Sequence, residues 1–250
     1  MSNIRLGVNI DHLATLRQAR GEQYPSIVEG ARAVLDAGAN QITIHLREDR
    51  RHIQDFDVPA VKMVTQRYGV PLNFEMGANE EIIDIAIDTK PEWICLVPEK
   101  REEKTTEGGL NLLDDTVYAK INSTCKKLKQ NIDGVKISLF VESNSQILEK
   151  CIALEVDAVE IHTGDFAMDY NEEKDVSHYI ESFKKSYITM KENGIGFHAG
   201  HGLTDLSLKA LLDLKIFKEY NIGHWIVCQA VFEGLGNTTQ KLVNLIKEAD

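Results

Sequence analysis

The sequence predicts an α/β fold in which eight parallel strands close into a barrel surrounded by helices. Apolar runs bounded by turn residues recur about every 30 residues, and amphipathic stretches with helical periodicity separate them. A length of 250 residues and a hydrophobic content of 43% suit one barrel of this kind. We therefore expect a TIM (β/α)8 barrel with extra helices, formed as a single domain over residues 1–250.

Eight runs are the candidate strands, and the first seven have one interpretation each. They are Leu6–Ile10, Gln41–Leu46, Pro71–Met76, Trp93–Pro98, Val135–Val141, Ala158–His162 and Gly194–Ala199, with the eighth near Ile216–Ile222. The eighth unit has two interpretations. Either His224–Gln229 is a strand, which β propensity slightly favours, or Phe217–Ile222 is the strand and a helix begins near Trp225.

Local start signals predict helices between these strands. Ser26 and Glu29 form a capping-box pair ahead of an apolar helical face, and Ser143 and Gln146 repeat that pair later in the chain. Asn79 is a third candidate, because its side-chain oxygen can accept from the free amides of a first helical turn. A helix is expected after each of these caps.

The composition narrows the range of partners. The formal net charge of −11 argues against a nucleic-acid partner, because binding a phosphate backbone requires clustered lysine and arginine. The four cysteines form no CxxC pair, which indicates reduced thiols and argues against zinc. The amino terminus has no signal-peptide pattern, and no apolar run approaches the roughly 20 residues of a membrane span. We expect a cytoplasmic protein without nucleic-acid or membrane partners.

Seven of the eight histidines lie at or just beyond the carboxyl ends of strand-like runs, and only His178 lies within a helical segment. They occur in the motifs NIDH, IHLREDRRH, EIHTG, HAGHGL and NIGH. Histidine titrates near neutral pH and therefore suits proton transfer and anion binding. Since the carboxyl ends of barrel strands meet at one face, these histidines predict an active site there.

Alternation along the strands separates an apolar face from a polar one, and in a barrel the apolar face packs against the helices. The polar set is then expected in the lumen near its mouth: Asn9, Asp11, His45, Arg47, Glu75, Glu160 and His162. Burying these charges together is costly unless they are paired or functional. Cys95 falls on the same face, where we expect a small buried apolar residue rather than a nucleophile.

Two glycine-rich stretches predict a phosphate site. HAGHG (His198–Gly202) and NIGH (Asn221–His224) follow the last two strands, where barrels of this type commonly bind phosphate with backbone amides. The basic cluster of Arg47, Arg50 and Arg51 also suits a small phosphate better than a polymer.

The segment Lys100–Asp115 is long for a connection that follows a barrel strand. It is polar and carries the paired glycines Gly108 and Gly109. Long loops at this face of a barrel often close over bound substrate. We therefore expect this segment to form a lid.

Two missing patterns narrow the chemistry. No lysine lies at the carboxyl end of a strand, since Lys136 begins its strand and Lys100 lies in a loop. This argues against an aldolase that forms a lysine Schiff base. No HxH motif opens the barrel, which argues against an amidohydrolase type of metal centre.

Longer motifs carry a family resemblance. NIDHLATLRQARG, HLREDRRHI, NFEM, LVPEKREEKTTEGG, EIHTG, AGHGL and NIGH follow one another in order with matched spacing. The chain closely resembles the pyridoxine 5′-phosphate synthase family over nearly its whole length. The resemblance implies condensation of 1-deoxy-D-xylulose 5-phosphate with 3-amino-2-oxopropyl phosphate to pyridoxine 5′-phosphate, inorganic phosphate and water, without cofactor or metal. It also implies a homo-octamer built as a tetramer of dimers, and a last strand that ends at NIGH with a helix from Trp225.

The resemblance further implies a role for each matching residue. The two bases correspond to His45 and Glu75, the proton donor to His201, and a carboxylate that stabilises the transition state to Glu160. The contacts to the amino-ketone phosphate correspond to Asn9, Gly202, Gly223 and His224. The contacts to the deoxyxylulose phosphate correspond to Asp11, His12, Arg47, His52 and Thr105. Arg20 corresponds to a substrate contact that reaches in from a neighbouring subunit. The chain departs from the family pattern at His198, where a small polar residue is expected, and at Gln229, where an arginine is expected.

Two other classes of protein remain open at this point. One is a metal-dependent aldolase or isomerase barrel acting on sugar phosphates, which the metal content of the purified protein would distinguish. The other is a non-catalytic barrel that binds phosphorylated metabolites, against which the presence of His45, Glu75 and His201 argues.

Overall fold

The computed structural model describes residues 4–105 and 108–249. Its eight parallel strands are hydrogen-bonded in chain order, and β8 closes on β1. The strands are β1 (Arg5–Asn9), β2 (Gln41–His45), β3 (Leu72–Met76), β4 (Trp93–Leu96), β5 (Lys136–Val141), β6 (Ala158–His162), β7 (Gly196–Gly200) and β8 (Glu219–Ile222). The predicted barrel is confirmed.

The described residues form eleven α-helices around this barrel. Eight connect successive strands or close the chain: α2 (Ile27–Asp36), α3 (Asp57–Tyr68), α4 (Glu80–Thr89), α5 (Asp115–Asn131), α6 (Ser145–Ala153), α8 (Ser177–Glu192), α9 (Asp205–Leu212) and α11 (Leu235–Ala249). Three extra helices begin one or two residues after a strand: α1 (Asp11–Arg20), α7 (Gly164–Asn171) and α10 (His224–Glu233). Among the described helices, none is both long and apolar enough to cross a bilayer.

The cap predictions are confirmed for two helices and wrong for a third. The Ser26 hydroxyl accepts from the Glu29 amide and caps α2, and the Asn79 side chain caps α4. The Glu29 carboxylate does not return the bond, because it accepts from Arg32 at 2.7 Å. At α6 the cap is Asn144 and not Ser143. The hydroxyl of Ser143 instead bonds Ser182 and Ser186 on α8, at 2.9 and 2.7 Å.

The eighth unit follows the second of its two interpretations. β8 ends at Ile222 and pairs with both β7 and β1, while His224 already begins α10. A strand over His224–Gln229, which propensity favoured, is therefore wrong. Closing the barrel requires one strand that can reach both neighbours, and only the preceding segment is in register with them.

The lumen is filled by polar side chains that hydrogen-bond across the barrel. Gln41 Nε2 donates to Glu219 Oε1 at 3.0 Å, and Asn221 Nδ2 donates to Glu160 Oε2 at 2.7 Å. Thr43 Oγ1 donates to Asn221 Oδ1 at 3.1 Å. The alternating apolar residues pack outward against the helices, and on β1 and β2 these are Leu6, Val8, Ile42 and Ile44.

His198 lies lower in the barrel than its motif suggested. It sits in the middle of β7, fully buried, with Nδ1 3.4 Å from Glu219 Oε1 and its ring edge against Trp93. Glu219 also pairs with Arg5 at 2.5 Å. His198 therefore belongs to the floor of the lumen and not to the loop after β7, where its effect was expected.

A buried ion pair fixes α1 against α3, and we expect its loss to be costly. Arg17 donates to both carboxylate oxygens of Asp57 at 2.7 and 2.6 Å, and also to the His52 carbonyl. Arg17→Ala should lower the free energy of unfolding by about 3–5 kcal/mol, because it leaves a buried carboxylate unpaired. Chemical denaturation measures this. The matched control is Arg32→Ala, which removes an exposed pair and should cost below about 1 kcal/mol; equal losses would contradict the prediction.

Candidate active site

A cavity of about 540 Å³ opens at the carboxyl ends of the strands. Nine of the fourteen predicted site residues line it: Asn9, His12, His45, Glu75, Glu160, His201, Gly202, Gly223 and His224. They come from strands β1, β2, β3 and β6, from the turns after β7 and β8, and from the first turns of α1 and α10. This is the face on which barrels of this type carry their active sites.

A hydrogen-bonded turn after β1 supports one wall of the cavity. Asn9 Oδ1 accepts from the Asp11 amide at 2.9 Å, and Asn9 Nδ2 donates to Asp11 Oδ2 at 2.8 Å. Asp11 Oδ1 in turn accepts from the His45 amide at 2.9 Å. Burial raises the pKa of Asp11 to about 6. Asp11 therefore lies behind the cavity wall, in the first turn of α1, and joins the ends of β1 and β2.

His45 is held from outside the cavity by Glu99. Its Nε2 lies 3.0 Å from Glu99 Oε1, and the Glu99 side chain is only 4% exposed. The side-chain amide of Asn9 links this wall to Glu75, because Asn9 Nδ2 donates to Glu75 Oε2 at 3.4 Å. His45 and Glu75 are register partners in neighbouring strands, so both present side chains at one depth of the lumen.

Two of the lumen glutamates, Glu75 and Glu160, have raised pKa values. Burial, followed by repulsion from Glu160 and Asp11, raises the pKa of Glu75. Burial and repulsion from Glu219 raise the pKa of Glu160 to about 8, although the amide of Asn221 donates to it. A carboxylic acid kept protonated at neutral pH can donate a hydrogen bond or a proton, whereas an ordinary carboxylate only accepts.

Gly200 is required by the position of the Glu160 carboxylate. A Cβ at residue 200 would lie 1.9 Å from Glu160 Oε1. At the next turn, Gly202 has a φ of 76°, and an added Cβ would lie 2.9 Å from the Cα of Gly164. Both glycines of the AGHG stretch therefore have a steric reason as well as the phosphate role that its position predicts.

Histidine rings form the rim of the cavity in two pairs. His12 and His224 have ring centroids 4.8 Å apart, and His162 and His201 are 5.1 Å apart beside Phe140. Desolvation lowers the pKa of His162 to about 4 and also lowers the pKa of His12 and of His201, with neighbouring histidines adding to each shift. The rings of His12, His162 and His201 are therefore largely neutral at pH 7, so each offers one donor and one acceptor.

The other five predicted site residues lie outside the cavity lining. Asp11 is behind its wall, and Arg20 is exposed at the end of α1. Arg47 pairs with Asp49 at 3.1 Å, and His52 Nδ1 accepts from the Ile53 amide at 2.8 Å. Thr105 lines an adjoining cavity of about 480 Å³, which shares Lys104 and His162 with the first. Their binding roles stay predictions.

The described part of the segment predicted as a lid contributes to the cavity lining. Residues 106 and 107 lie outside the described part, but Gly108 lines the cavity. The Gly109 amide donates to Glu142 Oε1 at 2.9 Å, and the Leu110 amide donates to the Phe140 carbonyl at 2.9 Å. The second half of the loop is thus fixed to the end of β5, and closure of the first half stays a prediction.

Several lining or supporting residues were missed from the sequence. Asn221 could have been found, because it lies two residues after Glu219 on β8 and therefore faces the lumen on the same side of the strand. His162 fell in the predicted lumen set but received no role. Lys104 lines the cavity from the loop after β4, a position that the search for lysines at strand ends did not cover. No periodic signal marks a loop residue such as Glu99.

Cys95 is buried, 4.0 Å from Glu160 Oε2. Burial raises the pKa of its thiol well above the usual range. A thiol that resists ionisation is a poor nucleophile. Its environment fits the small buried residue that the sequence predicted.

One group of residues has the composition of a metal site. Asp11, His45 and Glu75 offer ligand atoms within 4.8 Å of one another. In this structure both oxygens of Asp11 accept hydrogen bonds, and His45 Nε2 is bonded to Glu99. A metal ion would therefore have to compete with an existing hydrogen-bond network.

The raised pKa of Glu160 predicts a pH-dependent stability. Between the ordinary pKa of glutamate and about 8, the folded protein retains a proton that the unfolded chain releases. The free energy of unfolding should therefore fall as pH rises from 5 to 8. Glu160→Gln should remove this pH dependence, because glutamine does not titrate. As pH rises, the free energy of unfolding of the wild type should therefore fall relative to that of the variant by on the order of 1 kcal/mol per pH unit. Denaturation at several pH values tests this, with the exposed Glu149→Gln as control; parallel curves for wild type and Glu160→Gln would contradict it.

Solved structures of known proteins share the fold at low sequence identity. Thiamine phosphate pyrophosphorylase from Pyrococcus furiosus superposes with a TM-score of 0.61 and 13% identity, over 99% of this chain and 98% of that chain. Phosphoribosyl anthranilate isomerase from Thermus thermophilus gives a TM-score of 0.61 and 10% identity, over 99% of this chain and 100% of that chain. At these identities the likeness concerns the fold alone.

Sequence relatives are much closer. The family described as pyridoxal phosphate biosynthesis protein PdxJ matches residues 6–248. The chain is 43% identical over 244 residues to the pyridoxine 5′-phosphate synthase of Gluconobacter oxydans (strain 621H), covering 97% of this chain and 99% of that protein. It is 43% identical over 248 residues to the corresponding enzyme of Aquifex aeolicus (strain VF5), covering 98% and 100%. With a closed barrel, a histidine- and carboxylate-lined mouth and similarity over nearly its whole length, the chain belongs to the pyridoxine 5′-phosphate synthase family.

Proposed function

We propose that the protein is a transferase-type synthase that condenses 1-deoxy-D-xylulose 5-phosphate with 3-amino-2-oxopropyl phosphate. The products are pyridoxine 5′-phosphate, inorganic phosphate and water. The observation that carries the proposal is the convergence of His45, Glu75, Glu160 and His201 on one cavity. Amine attack on a ketone, imine formation, phosphate loss, hydration and ring closure all move protons, and these side chains can accept and return them.

Four residues divide the proton transfers in this proposal. His45 and Glu75 act as the two bases from neighbouring strands. The raised pKa of Glu75 means that it holds a proton more tightly than an ordinary carboxylate does, which supports a role in proton transfer. His201 donates a proton from the loop after β7. Glu160, kept protonated by burial, donates a hydrogen bond to oxygen on which negative charge develops.

The phosphate of the amino ketone is proposed to bind where α10 begins, with Asn9, Gly202, Gly223 and His224 as its contacts. Gly223 directly precedes the first turn of α10, whose free amides and dipole attract anions. Beside it, the buried Nδ1 of His12 has no hydrogen-bond partner among the described residues. Buried polar atoms are usually hydrogen-bonded, so this nitrogen supports the proposal that a ligand bound in the mouth supplies the missing bond.

The deoxyxylulose phosphate is proposed to contact Asp11, His12, Arg47, His52 and Thr105. Arg47 follows β2 two residues after His45, and within the described part of the chain it pairs with its neighbour Asp49, which is half exposed. Exposed ion pairs contribute little free energy, so Arg47 can exchange this carboxylate for a phosphate at small cost.

The protein is proposed to act in the cytoplasm as a homo-octamer, a tetramer of dimers, with Arg20 reaching a neighbouring site. Large apolar side chains on the barrel exterior support an assembly, since Tyr24 is 70% exposed and Phe232 is 84% exposed. Four free cysteines support a reducing compartment. Neither nucleic acid nor membrane is a proposed partner. Sedimentation velocity measures the assembly, and a monomer at micromolar concentration would contradict it.

A second candidate is a metal-dependent aldolase or isomerase acting on sugar phosphates. The grouping of Asp11, His45 and Glu75 favours it, because one histidine and two carboxylates can hold a divalent ion. The two candidates differ in their need for metal, which a single assay resolves.

The deciding assay supplies both proposed substrates to enzyme that has been treated with chelator and dialysed. We expect pyridoxine 5′-phosphate to form with a matching release of inorganic phosphate, because acid and base side chains suffice for every step. Product is measured by chromatography and phosphate by a coupled assay. Activity that disappears with EDTA and returns with a divalent ion would favour the metal-dependent candidate and defeat the cofactor-free mechanism.

Two substitutions separate the bases from the binding residues. Glu75→Gln keeps the shape of the side chain but removes the base, so kcat should fall by on the order of 10²-fold or more while substrate binding survives. Arg47→Ala should mainly raise the KM for deoxyxylulose phosphate, because a charge-assisted phosphate contact is lost. Steady-state kinetics and calorimetric binding measure both effects. Near-normal turnover in Glu75→Gln would require its assignment as a base to be withdrawn.

A further inference from the structure

We propose that Glu99 is the positioning residue of His45: it fixes the ring so that Nε2 carries the proton and Nδ1 is the basic nitrogen. The inference rests on the proposed function for its catalytic consequence, although the protonation state of His45 can be observed independently. Glu99 lies outside the cavity lining, so it acts through the histidine and not on substrate.

The Glu99 carboxylate is held from three directions. Oε1 accepts from the Gly77 amide at 3.2 Å and lies 3.0 Å from His45 Nε2. Oε2 accepts from the Glu48 amide at 2.8 Å. These partners belong to the ends of β2 and β3, while Glu99 itself follows β4. The carboxylate therefore joins three consecutive strand ends at the point where the two proposed bases emerge.

Close packing adds to this immobilisation. A Cβ at Gly77 would lie 3.1 Å from the Cδ of Glu99, so the turn after β3 leaves no spare room around the carboxylate. The side chain of Glu99 is 4% exposed and that of His45 is 12% exposed. A pair so enclosed has few alternative orientations, which is the condition for a fixed ring and a fixed tautomer.

The charge of Glu99 determines which atom donates the hydrogen bond between Glu99 and His45. Burial works to raise the pKa of Glu99, but hydrogen bonds with His45 and the Glu48 amide outweigh burial and lower it. The carboxylate is therefore ionised at neutral pH and can only accept hydrogen bonds. Nε2 must carry the proton in the pair, and in a neutral ring this leaves the lone pair on Nδ1. When Nδ1 takes a proton from substrate, the adjacent carboxylate stabilises the imidazolium that forms, as orienting carboxylates do in other acid–base pairs.

The first experiment observes the tautomer directly. Protein labelled with ¹⁵N at histidine is examined by NMR, and the His45 signals are identified by their loss in His45→Asn. We expect Nε2 to be protonated and Nδ1 to be unprotonated in the wild-type neutral ring. Protonation at Nδ1 instead would overturn the proposal, whatever the enzyme's activity. This measurement needs no Glu99 variant and no turnover, so it also stands if the proposed function fails.

The second experiment uses Glu99→Gln with Glu103→Gln as the matched control. The three groups that bond the Glu99 carboxylate are all donors, so the NH2 group of a glutamine at this position must point at one of them. Where the NH2 group points at His45, Nε2 must accept, and the tautomer with the proton on Nδ1 is favoured. Glu103 is a comparable carboxylate that accepts from the Glu99 and Lys100 amides without contacting His45. We expect Glu99→Gln to lower kcat by on the order of 10²-fold with little change in KM, and to change the ¹⁵N spectrum of His45.

Glu103→Gln should leave both kcat and the His45 spectrum near wild type, because the Glu103 carboxylate bonds Lys120 and the Glu99 and Lys100 amides but not His45. If Glu99→Gln raised KM and left kcat unchanged, or if the two variants behaved alike, Glu99 would have a structural role only and the proposal would be wrong. Should Glu99→Gln fail to fold, the wild-type tautomer still tests the proposal by itself.

Discussion

The structure depends on how four carboxylates are accommodated inside one barrel. Asp11, Glu75, Glu160 and Glu219 lie in or against the lumen, where water is largely excluded and ionised groups are costly. Ordinary barrels of this type fill the lumen with branched apolar side chains. The lumen of this barrel instead contains amides and hydroxyls that hydrogen-bond across the strands. The side-chain amide of Asn221 donates to both Glu160 and Glu219.

The free-energy cost of burying a carboxylate is offset in a different way at each depth of the lumen. At the floor, burial works to raise the pKa of Glu219, but His198, Arg5 and hydrogen bonds from Asn221 and Gln41 outweigh it and lower the pKa. Burial also lowers the pKa of His198, so the permanent charge of Arg5 is the partner that keeps Glu219 ionised at neutral pH. Higher up, burial and repulsion from Glu219 raise the pKa of Glu160 to about 8, so it keeps its proton at neutral pH. One lumen thereby holds both an acid and a carboxylate at pH 7.

The extra helices convert the strand ends into a ligand site. α1 and α10 begin almost immediately after β1 and β8, which brings His12 and His224 together over the mouth. The same short connections aim the free amides of the α10 amino terminus at the cavity. A longer turn at either strand would separate the two rings. The proposed catalytic lumen and the proposed phosphate-binding rim are thus built from the same connections.

The sequence by itself determined the barrel, its strands within a few residues, and most of the cavity lining, because strand alternation and motif spacing are local properties. It also identified His45, Glu75 and Glu160 as lumen-facing. For the eighth strand β propensity favoured the wrong segment, while the family resemblance implied the strand that barrel closure requires. Tertiary structure decided the cap of α6, where α8 engages Ser143. It alone revealed Glu99 and Lys104, since a loop residue has no periodicity that predicts where it folds back. The protonation of Glu160 was decided in the same way, because a pKa depends on neighbours that only the closed barrel brings within a few ångströms.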